Sequence, residues 1–114
     1  MDLVIDRITW LRGDDGQSML YRRHDSKMCC MGSYGVACGL TTEQMAGHFY
    51  LSGGSTRIAC DSRLFEHPAE ENRAQSLQRQ LAAANDDAKL SGPEREERIT
   101  DLFAMMDVAV TFVN

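Results

Sequence analysis

The sequence predicts a single α+β domain over residues 1–114, a short three- to four-stranded sheet packed by about four helices. Three observations carry this. Two stretches in the second half keep the i, i+3, i+4 apolar spacing of amphipathic helices, each opened by a helix-start signal. The chain opens on a short apolar run and closes on a β-branched one. With 114 residues, 43% apolar and 25% charged, it has the size and mix of one globular domain that needs no metal or disulfide to fold.

Taken in order, Leu3-Val4-Ile5 reads as a strand. Asp6 then caps a short helix from Arg7 to Arg12, with Ile8 and Leu11 inward and Gly13 ending it in the left-handed conformation. Asp14-Asp15-Gly16 is a turn, and Ser18 to Arg22 a second strand. From Met28 to Cys38, Cys30, Tyr34, Ala37 and Cys38 share one helical face, and Gly39 stops the helix. Gly32 and Gly35 on that helix would let another backbone approach closely. Thr41-x-x-Gln44 is a capping box for a short helix ended by Gly47.

His48 to Leu51 reads as a short strand, followed by a flexible loop from Ser52 to Thr56. Pro68 opens a helix carrying Ala74, Leu77, Leu81, Ala84 and Ala88, which runs to about Asp87. Ser91-x-x-Glu94, with Pro93 in the first turn, opens the last helix, whose stripe is Ile99, Leu102, Phe103 and Met106. Val108 to Val113 is the closing strand, docked beside strand one or two. The expected core is Leu3, Ile5, Leu20, Cys30, Tyr34, Leu77, Leu81, Leu102, Phe103 and Phe112.

The net charge of −5 is unevenly placed. Seven Lys/Arg balance seven Asp/Glu across residues 1–63, whereas residues 64–114 carry five against ten. A general nucleic-acid binder needs a basic face, because phosphate neutralisation supplies most of its affinity, so direct nucleic-acid binding is not expected. No apolar run approaches the ~20 residues that span a bilayer, and acids stand near the N-terminus where a signal peptide needs a basic leader. These features point to the cytoplasm and to no membrane partner.

Each chemical motif has a plain reading beside it. Cys29, Cys30, Cys38 and Cys60 with His24, His48 and His67 supply zinc-ligand types, but no Cys-x₂₋₄-Cys pair is present, so we read buried thiols and no metal. Cys29 and Cys30 near a helix N-terminus, with His24 or His48 as base, have the residue types for a nucleophile. Gly53-Gly54-Ser55-Thr56 lacks the lysine of a phosphate loop, though its backbone and Arg57 have the donors to hold an anion. Glu70-Glu71, Asp86-Asp87 and Glu96-Glu97, with Glu94, read as solvated helix faces or as an acidic surface for a basic partner. His48, Phe49 and Tyr50 beside the Gly53-Gly54 loop form a candidate interface or ligand loop.

Trp10-Leu11-Arg12-Gly13, then Lys27-Met28-Cys29-Cys30-Met31-Gly32 and Ala37-Cys38-Gly39-Leu40, resembles a group of small uncharacterised phage and prophage proteins. Their hallmark is a Trp/Leu-Arg segment followed by a Cys-Cys-Leu-Gly helix; Met31 stands here in place of that leucine. Asn85-Asp86-Asp87, Leu90-Ser91-x-x-Glu94-Arg95-Glu96, Leu102-Phe103 and the closing strand are similar to the tails of the same group. The resemblance implies a phage accessory protein in a host bacterial cytoplasm, of the kind that inhibits host defence systems, anti-CRISPR proteins included. It implies no catalytic residue and no cofactor.

The first expectation is therefore a non-enzymatic, phage-encoded binding protein. It would block a host protein or ribonucleoprotein complex by covering a basic surface with Glu70, Glu71, Asp86, Asp87, Glu94, Glu96 and Glu97. A second is a small anionic-ligand domain or enzyme built on the Gly53-Gly54 loop, Arg57, His48 and Cys60. A third is a phage structural or assembly protein, dimeric through Gly32 and Gly35. Monomer and homodimer both remain open.

Overall fold

The structure, a computed structural model, describes residues 2–13, 19–48 and 68–114, with side chains from residue 76 onward in the last stretch. Six elements follow one another: β1 (Asp2–Asp6), α1 (Cys30–Ala37), α2 (Thr42–Met45), α3 (Pro68–Asp86), α4 (Gly92–Ala104) and β2 (Ala109–Val113). The chain is thus mixed helix and strand, as the sequence predicts.

β1 and β2 pair in parallel, Leu3 opposite Val110 and Ile5 opposite Phe112. Parallel neighbours need a long crossover, and the four helices among the described residues lie within it. Leu3 and Ile5 face the core while Val4 stands 58% exposed, the period-2 pattern of a sheet packed on one side. Among the described residues the sheet has two strands.

Two expected elements take other forms. Residues 7–12 are not a helix. The Asp6 carboxylate accepts the Ile8 N–H at 2.9 Å and the Asp6 carbonyl the Thr9 N–H at 3.2 Å, a local turn that competes with helix formation. The chain then runs extended beside Met28: Leu11 N–H donates to its carbonyl at 2.8 Å, and Met28 N–H donates to Thr9 at 3.0 Å. Ile8 is consequently 68% exposed, not inward, while Trp10 and Leu11 are buried. Gly13 does adopt φ +67°.

Residues 19–22 likewise form no continuous strand. Their bonds are split between two segments: Cys29 N–H donates to Met19 and Arg22 N–H to Lys27, while Leu20 N–H donates to His48. The Arg22–Lys27 bond closes a turn held by the Arg22–Asp25 ion pair.

The helices follow the sequence signals closely. α1 buries Cys30 and Tyr34, though Ala37 is exposed, and Gly39 at φ +98° follows its end. A Cβ on Gly32 would lie 1.9 Å from the Leu20 carbonyl oxygen, so the close backbone approach that this glycine permits is made within the chain. Both capping boxes form, at Thr41/Gln44 and Ser91/Glu94. α3 buries Leu77, Leu81 and Ala84 but stops at Asp86, leaving Ala88 exposed in the turn beyond. α4 buries Ile99, Leu102 and Phe103. One cluster of buried side chains joins strands and helices, and all ten expected core residues lie in it or, for Phe112, pack against it.

A polar node ties the first segment to α3. Asn85 is fully buried. Its Oδ1 accepts from Trp10 Nε1 at 2.7 Å and from the Cys30 N–H at 3.2 Å, and its Nδ2 donates to Leu11 carbonyl at 2.8 Å. Beside it Arg95, 6% exposed, donates to the carbonyls of Asp87 and Leu90 in the turn that joins α3 to α4. This fixes how α4 folds back on α3.

Candidate functional site

The α3–α4 hairpin presents a groove to solvent, about 400 Å³ in volume. One wall comes from Gln80, Ala83 and Ala84 of α3 and from Asp87 just past its end. The other comes from Arg98, Asp101 and Leu102 of α4 and from Met105 at its C-cap. Ala84 and Leu102 are buried and form the floor, while Met105 is 54% exposed at one end. Small alanines opposite a leucine leave the trough; Asp87 and Asp101 place a carboxylate on each wall.

The acidic residues expected to form a partner surface separate into two groups. Glu96 is occupied: Arg7 Nε and Nη2 donate to its two oxygens at 2.9 and 2.7 Å. The Arg7 hydrogen bonds hold its carboxyl below the usual range, against an opposing push from partial burial. Glu94 is spent on the capping box, and its bond from Ser91 N–H lowers it too. Asp86 accepts from Asn85 Nδ2 at 3.2 Å. Asp87 has Oδ1 on the Lys89 N–H at 2.9 Å and still lines the groove. Glu97 is exposed, as is Asp101 one turn on. Glu70 and Glu71 lie on α3, their side chains outside the described residues.

Of the second candidate set, His48 is half-buried and spends its backbone on Leu20 and Met45. Phe49, Tyr50, Gly53, Gly54, Arg57 and Cys60 lie outside the described residues. Cys29 and Cys30 are buried. Burial pushes the Cys30 thiol well up, with neighbouring Cys29 adding to it, which is the reverse of what a thiolate nucleophile requires. Among the described residues no three His, Cys, Asp or Glu side chains gather as a metal site, and no helix is long and apolar enough to cross a membrane.

Asp101, Arg98 and Met105 are groove residues that the apolar stripe of α4 did not reveal. Their signal was the second stripe, Arg98-Asp101-Leu102-Met105, which shares only Leu102 with the core stripe. No protein-family model, curated protein or solved structure matches the chain.

Proposed function

We propose that this chain is a small acidic binding protein that acts by protein–protein contact and has no catalytic role of its own. The partner is a basic surface on a host defence complex, a target class supported by the resemblance to phage accessory proteins. The observation that carries the reading is the placement of charge. The chain's entire net charge of −5 falls in residues 64–114, and Glu97, Asp101 and Asp87 stand on or beside the outer faces of α3 and α4. Such a face raises association rates toward a basic partner and makes them salt-sensitive.

A tagged full-length chain, incubated in lysate of bacteria with active defence systems, tests this at low and high salt. One stoichiometric protein partner, lost at high salt and lost with Glu97→Lys/Asp101→Lys, is the expected result. Recovery of no protein partner, or of one indifferent to both salt and the double reversal, would sink the reading.

A further inference from the structure

We infer that the groove between α3 and α4 is the anchor point of this contact, and that it takes a partner segment presenting an apolar side chain flanked by lysine or arginine. The inference rests on the protein-binding reading above and supplies the chemistry of the partner.

Three features select that occupant. The floor is apolar: Ala84 and Leu102 at the bottom, exposed Ala83 on one wall, and Met105 at one end. An unbranched, polarisable methionine adapts to whatever side chain enters. The volume, about 400 Å³, is ample for one apolar side chain, and the groove is open to solvent rather than enclosed, so a side chain of a passing segment can enter it.

Charge fixes the flanks. The lining carries two carboxylates, Asp87 and Asp101, against one guanidinium, Arg98. Exposed Glu97 adds a further carboxylate one turn before Asp101. A cation on either side of the buried apolar group would meet a carboxylate on each wall. An acidic segment would meet repulsion from both.

The test is a methyl NMR titration of the full chain with a synthetic peptide of alternating leucines and lysines, alongside its Leu→Ala and Lys→Glu analogues. Shifts confined to the methyls of Ala83, Ala84, Leu102 and Met105 are expected, with affinity falling about tenfold or more for the Leu→Ala peptide. Ala83→Leu, which fills the groove from an exposed helical position, should weaken binding of the parent peptide to the same degree. An unchanged urea midpoint for that variant shows that its fold is intact. Shifts spread over the acidic surface, with the Leu→Ala peptide and Ala83→Leu both binding as well as the parents, would overturn the groove as anchor while leaving the acidic-surface reading in place. No binding of the parent peptide would overturn it as well. Groove shifts that appear on raising the protein concentration alone would overturn it by making a second copy the occupant. The acidic-surface reading fails separately, through the capture experiment above.

Discussion

Helix α4 turns two differently constituted faces to its surroundings. On the inner side, charge is consumed by the fold: Glu96 is clasped by Arg7 from the first segment, and Arg95 caps carbonyls beyond α3. On the outer side, Glu97 and Asp101 stand exposed beside an open groove. The same residue type in the same helix thus either holds the molecule together or remains available, and a single step along the chain decides which. Charge composition alone does not identify a binding surface; the partners already taken must be subtracted first.

The sharpest way to break the inner side is through its buried polar node. Asn85→Leu keeps the branched shape but strips partners from Trp10 Nε1, the Cys30 N–H and the Leu11 carbonyl. Leaving three buried groups unsatisfied should cost about 4 kcal/mol in urea unfolding. A loss near zero would mean that the node does not hold the first segment to α3.

Gly32→Ala comes next. Its Cβ would meet the Leu20 carbonyl, a backbone atom that cannot swing aside, so about 3 kcal/mol of destabilisation is expected. Together these variants sharpen the contrast, because substitutions on the outer face should leave the urea midpoint within about 0.5 kcal/mol of the parent.

The Arg7–Glu96 clasp gives a smaller effect with a definite pH signature. The carboxyl is lowered in the folded chain, so its contribution is fully present above the unfolded value near 4.5 and fades as pH falls through the folded value. Glu96→Gln should therefore unfold at lower urea than the parent at pH 7, and the gap should close in acid. A gap that persists or widens below that range would assign the clasp another role.

How much of this division was legible beforehand follows from residue types. Both capping boxes and the turns at Gly39 and Gly47 came from local rules that tertiary contacts did not override, and the last strand, expected beside strand one or two, pairs with the first. The turn at residues 7–9 did not, because Asp6 has two local uses, helix cap and side-chain turn, and pairing of the next residues with Met28 selects the second. Asn85 was hidden in an Asn-Asp-Asp run that reads as a fraying end; its role depends on Trp10 and Leu11, about 75 residues away. Glu96 lies three residues before Ile99 and seven before Phe103, on the border of the buried stripe, and Glu97 lies past it. That spacing hinted at their different fates, but the presence of Arg7 opposite Glu96 required the fold.

The most direct test uses these two neighbours. Glu96→Lys and Glu97→Lys change the net charge equally, so long-range steering is matched and only their contacts differ. Urea stability and affinity for the captured partner are measured for both. Glu96→Lys should lose stability and keep most of its affinity, while Glu97→Lys should keep its stability and lose affinity about tenfold. Equal effects of the two substitutions on either quantity would contradict the division of α4 into a face that folds and a face that binds.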